Sequence, residues 1–415
     1  IWRLVQDHVN KNLLFAATEF GVYFTTNSGK NWIKLKGGMP TIPIRDIKIQ
    51  RSENDLVAGS FGRGIFILDD ISPLRTFNKN MMSAEATIFP VKNAHWYRQS
   101  SRVGSQGDAE WIAKNPPFGA NFTYFMPNKI KSKKEVRRAK EKKGNAQFPG
   151  WDALEEESRE DGPSIMLIVK DKNGNVVNTI KGTNRKGFNR VNWRLNYPSK
   201  RGERLQSSTR RGFNRGGGIM VTPGTYSVTL EKRVNGVHTT LQEPVNFEVV
   251  PLFEGTLPRK SNEVINNFRD DVTAFQQDLT SANISLSRSL KTTNAMLRAL
   301  NKASRPTNEL FKKLNSTKKL LLTIDKELNG DSVKDEIGER SNPSASDGGS
   351  LGWTAFGNTY GPTDEHMRLL SRVKSQLKKV KNKLYPLVNS TLPSLRNELI
   401  KTGAPWIEGQ GLIKD

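Results

Sequence analysis

The hydrophobic pattern changes its period once along this chain, and that change limits the folds open to it. Over residues 12–70, and again over residues 164–250, apolar and polar residues alternate in short runs, which is the two-residue period of β-strands. From residue 258 onward apolar residues recur every three or four positions, as they do on one face of an α-helix. The pattern therefore predicts a multidomain chain that is β-rich first and helical at its C-terminal end.

The length and the residue types exclude several classes of protein. A chain of 415 residues predicts two to four domains. The absence of cysteine excludes disulfide scaffolds, thiolate zinc sites and cysteine nucleophiles. The four histidines lie far apart, without metal-binding spacing, and no phosphate-binding loop or serine-nucleophile motif occurs. We therefore expect no catalytic residue, no metal and no cofactor within this chain.

The positive charge of the chain is concentrated in a few segments. The formal net charge is +24, and residues 129–143 hold nine basic and two acidic side chains. Because acidic residues dominate 152–161, we expect a charged helical hairpin that neutralises itself. Residues 181–215 hold eleven basic side chains and one acidic. Within them Arg210, Arg211 and Arg215 suggest either an RNA-binding segment or a basic flexible loop, and nucleic acid is the less favoured partner.

A short motif in the first β-rich region predicts a specific turn. Thr25, Asn27, Gly29 and Trp32 match the Asp-box pattern Ser/Thr-x-Asp-x-Gly-x-x-Trp, with Asn in the place of Asp. An Asn side chain can accept hydrogen bonds from nearby backbone amides, and glycine allows a positive φ. Trp32 can pack beneath the hairpin as its apolar anchor. We interpret the motif as structural rather than catalytic.

Residues 16–75 resemble the final blade of the bacterial BNR/VPS10-like (sortilin-like) β-propeller proteins, which are often labelled glycosyl hydrolases. The most specific stretch is GSFGRGIFILDDISPLR, residues 59–75. It contains the motif residues Gly62, Arg63, Gly64, Asp69 and Asp70. Adjacent strand residues point to opposite faces, so Asp69 and Asp70 cannot converge on one glycosidic bond. We expect them to end the strand and cap the linker.

The second β-rich region resembles the immunoglobulin-like domain that follows the propeller in these proteins. Its strand patterns are DKNGNVV, GFNRVNW and PGTYSVTL, and Asn235-Gly236 predicts a tight primed hairpin turn. Trp193 shares a strand face with Val191 and Leu195, so we expect it in the core rather than stacked on a sugar.

The last region predicts three long helices, at about residues 262–302, 306–329 and 363–402, with the last one kinked at Pro386. Such helices form an antiparallel hairpin or a small bundle. The intervening loop, 341–364, carries Trp353, Phe356 and Tyr360. These rings either form an interaction surface or pack on the protein's own helices.

The resemblance implies a fold class with three parts. These are the terminal β-propeller blade or blades (1–75), an Ig-like sandwich (76–255) with a charged insertion at about 129–161, and a helical hairpin or bundle (256–415). No apolar run is long enough to span a bilayer.

The function that the resemblance implies is non-catalytic binding or assembly outside the cytoplasm. The partner would be a protein, a glycan or the rest of the propeller, at the surface or in the periplasm of a Gram-negative, Bacteroidota-like bacterium. A signal sequence would then precede residue 1. Two alternatives stay open: the structural C-terminal part of a glycoside hydrolase whose active site lies in other propeller blades, and RNA binding.

Overall fold

The structure, a computed structural model, describes residues 1–99, 115–144, 147–200, 202–203, 205, 218–339 and 343–411. The chain divides into two compact units. The first comprises Ile1–Trp96, Ser100–Asn196 and Pro223–Leu252, and the second comprises Tyr97–Gln99, Tyr197–Thr222 and Phe253–Asp415. The part expected at 1–75 thus lies in the first unit, together with most but not all of the part expected at 76–255. The helical region makes up most of the second unit.

The chain begins with two small antiparallel sheets. The first is a four-stranded meander of β1 (Arg3–Gln6), β2 (Leu14–Thr18), β3 (Gly21–Thr25) and β4 (Ile33–Lys34). The second is a three-stranded meander of β5 (Ile44–Gln50), β6 (Asp55–Ser60) and β7 (Ile65–Leu68). Alternate residues of both sheets, among them Phe15, Val22, Ile47 and Leu56, form one shared core.

The chain leaves β7 through a short helix, α1 (Ser72–Thr76), and a single 3₁₀ turn (Lys79–Met82). Two further sheets, of three and six strands, follow in the same unit. Their strands are β8 (Thr87–Ile88), β9 (Ala94–Trp96), β10 (Ala120–Met126), β11 (Ser164–Asp171), β12 (Val176–Lys181), β13 (Gly187–Trp193), β14 (Gly224–Val234), β15 (Val237–Thr240) and β16 (Val245–Pro251). The sheet orders are β13-β10-β8 and β12-β11-β14-β16-β9, with β15 paired to β14. All described pairs are antiparallel except β9 with β16.

Aromatic rings from these two further sheets meet in a common core. Trp193 of β13 lies 5.6 Å from Tyr226 of β14 and 6.1 Å from Phe247 of β16, measured between ring centroids. Phe122 of β10 also contacts Phe247, at 5.5 Å. Trp193 is buried, as its strand spacing predicts. The two sheets therefore pack face to face through these rings.

The charged insertion forms the predicted helical hairpin. It consists of α2 (Lys133–Glu141) and α3 (Trp151–Arg159). Ser132 caps α2, because its hydroxyl accepts the amide of Glu135 while the Glu135 carboxylate accepts the amide of Ser132. Arg137 donates to both carboxylate oxygens of Glu157 across the hairpin. Neither helix has a fully buried residue, so ion pairs rather than a core hold the helices together.

The second unit is helical, and its long helices lie where the apolar spacing predicts. They are α4 (Asn262–Leu300), α5 (Asn308–Asn329) and α8 (Asp364–Pro386), which a π-helical turn (Leu387–Thr391) joins to α9 (Leu392–Lys401). Ser261, Thr307 and Thr363 cap α4, α5 and α8 by accepting a backbone amide of the first turn. At Pro386, where the sequence predicts a kink, regular α-helix gives way to the π-helical turn, because proline lacks an amide hydrogen.

The segment between α5 and α8 contains α6 (Ser332–Glu336), a 3₁₀ helix (Ala345–Ser350) and α7 (Leu351–Thr354). Ala345, Leu351 and Ala355 are buried against α4 and α8. Within the described residues, no helix has both the length and the apolar character needed to cross a bilayer. The chain is thus a mixed β and α protein whose long helices lie at its C-terminal end.

Candidate functional site

The turn between β3 and β4 contains the Asp-box residues, and their side chains bond to the backbone of that turn. The Thr25 hydroxyl donates to Asn27 Oδ1 at 2.8 Å and accepts the amide of Gly29 at 3.0 Å. Asn27 Oδ1 also accepts the amide of Asn31 at 3.0 Å. Gly29 has a φ of +90°, and the Trp32 ring lies beside it. Trp32 is 40% exposed, so the prediction that it anchors the hairpin from beneath is wrong. The motif residues therefore come together as one turn.

The two small sheets contain an internal repeat that we did not identify from the sequence. The β2–β3 hairpin reads AAT-EF-GVYFT over residues 16–25, and the β6–β7 hairpin reads AGS-FGR-GIFIL over residues 58–68. In both, the chain pairs antiparallel through a short turn. The signal was present in the sequence, but the two copies differ in turn length by one residue. β7 therefore holds the same position in its hairpin as β3 does in the first, although the buried Val22 and Phe24 of β3 align with the exposed Ile65 and Ile67 of β7.

The repeat stops after β7, which leaves one edge of the second sheet open. In the first copy β4 pairs with β3, through Tyr23 with Lys34 and Phe24 with Ile33. In the second copy the chain turns away into α1, and within the described residues no strand pairs with β7 except β6. Ile65 and Ile67 of β7 are exposed, while Phe66 and Leu68 pack towards the core. The place that β4 fills on β3 is thus vacant on β7.

Gly62, Arg63 and Gly64 form the tight turn between β6 and β7. Gly62 and Gly64 have φ values of +74° and +71°, which favour glycine. The amide and the hydroxyl of Ser60 both donate to the Gly64 carbonyl, at 3.0 and 2.7 Å. Arg63 is exposed at the outside of the turn.

Asp69 and Asp70 lie where β7 ends. Asp70 has a φ of +50°, its amide donates to Asp55 Oδ1 at 2.9 Å, and its carboxylate accepts the Ser72 amide at 3.1 Å. The Arg190 guanidinium donates to the backbone carbonyls of Asp69 and Asp70. Burial raises the pKa of Asp69, with Asp55 adding to the shift and Arg190 opposing it. Asp70 therefore bonds to the chain around it and starts the turn into α1.

Asp7 belongs to the same region, although nothing in the sequence singled it out. Burial alone would raise the pKa of Asp7, but hydrogen bonds from Arg75 and from the amides of Asn10 and Val9 hold it below its ordinary value. Arg75 is the last residue of the DDISPLR stretch. The motif thus ends on a residue that binds a buried carboxylate.

The three aromatic residues of the 341–364 loop do not share one surface. Phe356 is buried against Phe268, with ring centroids 5.8 Å apart. Tyr360 is half-buried, and its carbonyl accepts the amide of Lys260. Trp353 is exposed on α7. Phe356 therefore packs on the protein's own helices, which is the second of the two predicted alternatives. Trp353 is open to a partner, which is the first.

The other predicted interaction residues, Arg210, Arg211 and Arg215, lie outside the described residues. In the part of the chain that the structure describes, no group of three or more His, Asp or Glu side chains is arranged to hold a metal ion.

Comparisons with known proteins neither support nor contradict the resemblance described from the sequence. No model of a known protein family matches the chain, and a search of curated proteins finds no match.

Proposed function

We propose that this chain is a non-catalytic binding and assembly protein that acts outside the cytoplasm, and that it forms the C-terminal portion of a BNR/VPS10-like β-propeller. On this proposal the sheet β5-β6-β7 takes up a fourth strand along β7. The observation that supports it is the open edge of β7, set beside the same edge of β3, which β4 covers.

The residues of β7 favour pairing with another strand. An unpaired edge presents a row of backbone donors and acceptors, and proteins protect such edges with charged residues or proline. β7 consists of the four apolar residues IFIL and has neither protection. The opposite edge of the same sheet, β5, carries Arg45, Asp46 and Lys48. An incoming strand would therefore pair with β7 rather than with β5.

The chemistry of the incoming strand follows from this edge. Backbone hydrogen bonds to β7 would supply the affinity, as in other cases of strand addition. Apolar side chains on one face of the incoming strand would cover Ile65 and Ile67, which are exposed without it. The strand would come from another part of the propeller or from a partner protein.

The remaining parts take supporting roles in this proposal. The two sheets built from β8 to β16, with Trp193 in their core, correspond to the Ig-like domain in this proposal. The location at the surface or in the periplasm of a Gram-negative bacterium, and a glycan as a second possible partner, come from the resemblance alone. The glycoside hydrolase and RNA alternatives stay predictions of the sequence.

A crosslinking experiment tests the open edge directly. Because the chain has no cysteine, Ile67→Cys introduces a single thiol beside the vacant place. The variant is expressed in the native source, a photoreactive crosslinker is attached to the thiol, and the crosslinked peptide is identified by mass spectrometry. We expect crosslinks to one extended segment of alternating apolar residues, and the same segment with Ile65→Cys.

The matched control is Val176→Cys, an exposed residue on β12, which is the edge strand of a different sheet. It should not reach the same segment. Absence of any crosslink at Ile65 and Ile67, or the same products from Val176, would overturn the proposal.

A further inference from the structure

Ion pairs align the two helices of the α2/α3 hairpin and so define the tip of the hairpin. Lys133 pairs with Glu156 at 2.8 Å, and its amide donates to Glu160. Arg137 pairs with Glu157. These contacts align the start of α2 with the end of α3, so the helices run antiparallel. The end of α2 and the start of α3 therefore lie together at the tip.

The sequence led us to expect a hairpin that neutralises itself, but residues 129–161 hold ten basic and eight acidic side chains, so positive charge is left over. Every carboxylate of the hairpin from Glu135 to Asp161 except that of Asp152 forms an ion pair or accepts a hydrogen bond from a backbone amide. Six cations have no carboxylate within 4.0 Å in the described part of the chain. They are Lys131, Lys134, Arg138, Lys140, Lys142 and Lys143.

These cations are arranged on one helix rather than scattered. Lys134, Arg138 and Lys142 are four residues apart, so they share one face of α2 and its C-terminal extension. Lys140, Lys142 and Lys143 lie where α2 ends, at the tip. The tip is therefore the most basic part of the hairpin.

Two aromatic residues lie at the same tip and are not part of any core. Trp151 is 77% exposed and Phe148 is 64% exposed. Their rings contact each other edge to face, with centroids 5.3 Å apart. Aromatic rings of this size stabilise a protein strongly when they are buried, and this pair is exposed. An exposed aromatic pair near unpaired lysines therefore indicates a surface that a lipid bilayer or another molecule covers.

We propose that this tip docks onto an anionic bilayer surface. Phe148 and Trp151 enter the headgroup region, where amphipathic rings partition favourably. Lys140, Lys142 and Lys143 contact lipid phosphates, and each basic residue near an anionic leaflet adds to the binding energy. Single-stranded nucleic acid fits less well, because it needs ring faces interleaved with cations along a groove. The two rings here contact each other instead.

Vesicle co-sedimentation of the full chain tests this docking. The probes are vesicles of phosphatidylcholine alone and of phosphatidylcholine with about 30% phosphatidylglycerol, at about 0.1 M salt. We expect binding to the anionic vesicles only. The triple substitution Lys140→Gln, Lys142→Gln and Lys143→Gln should weaken that binding about a hundredfold, and Phe148→Ala with Trp151→Ala about tenfold.

Matched controls separate the tip from general charge and general exposure. Lys319→Gln, Lys378→Gln and Lys379→Gln remove the same charge from exposed positions of α5 and α8. Phe20→Ala with Phe253→Ala removes rings that are 64% and 63% exposed. Both controls should bind anionic vesicles as the unmodified chain does, and circular dichroism should show every variant folded.

Three results would overturn the proposal. One is no binding of the unmodified chain to anionic vesicles, and another is equal weakening by the tip variants and their controls. The third is binding of a single-stranded polynucleotide, lost in the tip variants, together with no vesicle binding. That result would assign the basic and aromatic residues of the tip to nucleic acid.

Discussion

Arg75 and Asp7 form a bidentate ion pair across a separation of 68 residues. The Arg75 guanidinium donates from Nε and Nη2 to the two carboxylate oxygens of Asp7, each at 2.9 Å. Nη2 also donates to Asn54 Oδ1 at 2.8 Å. The Asp7 side chain is fully buried. The pair therefore links α1 to the loop that follows β1. It holds the end of the DDISPLR stretch against the first sheet.

Arg75→Ala should destabilise the first unit by about 3–5 kcal/mol, because it leaves the Asp7 carboxylate buried without its partner. Urea unfolding followed by circular dichroism measures the loss. Arg3→Ala is the matched control, since the Arg3–Asp46 pair is exposed at 3.6 Å and should contribute less than about 1 kcal/mol. Equal losses from the two variants would contradict the role assigned to Arg75.

Asp69→Asn should make the protein more stable at neutral pH. The pKa of Asp69 is raised above its ordinary value of 3.8, mainly by burial, so the fold opposes its ionisation. The penalty is absent below that value, grows as the pH rises through the folded pKa, and is complete above it. The gain from asparagine should therefore appear at pH 7 and vanish near about pH 3. Urea unfolding at both pH values checks this, and a loss of stability at pH 7 would contradict it.

Gly29→Ala should destabilise the Asp-box turn by about 1–2 kcal/mol. The cause is the φ of +90°, because the nearest atoms to an added Cβ lie 3.8 Å away and leave room for it. Gly162→Ala is the control, with no positive φ and nothing within 4 Å of an added Cβ. Thermal unfolding should separate the two variants, and an unchanged melting temperature for Gly29→Ala would refute the strain argument.

Gly348→Ala should destabilise the helical unit by about 1–3 kcal/mol through overpacking. An added Cβ would lie 2.5 Å from Phe275 and 2.7 Å from Val373. The neighbouring Gly349→Ala places its Cβ 4.0 Å from Leu279, which is an ordinary contact, so it should be tolerated. Urea unfolding of the two variants compares them directly. If both unfold at the same urea concentration, the 3₁₀ segment does not pack as described.

The sequence predicted those elements whose residues are close together in the chain. The three long helices and the break at Pro386 follow from apolar spacing and from the missing proline amide. The predicted hairpin turn at Asn235-Gly236 is present, with φ values of +50° and +78°. In each case the interactions that determine the element join residues only a few positions apart, so the order of residues in the sequence is enough to predict it.

Interactions between distant residues were beyond the sequence. Asp7 carries no local mark, because its partner lies in another element of the chain. Phe356 and Trp353 are three residues apart in one loop, yet one is buried and the other exposed. The open edge of β7 could be recognised only once the strand pairing of both hairpins was known. Such features depend on which distant residues meet in the folded chain, and no repeating pattern in the sequence shows which ones do.

A further strand along β7 would protect the amides of β7 from exchange with solvent, and hydrogen–deuterium exchange measures that protection. The 415-residue chain alone is compared with the protein isolated from its native source. We expect the amides of Ile65–Leu68 to exchange at least about tenfold more slowly in the native protein, and those of the edge strand Val176–Lys181 to exchange equally fast in both samples. Equally fast exchange of Ile65–Leu68 in both samples would contradict it.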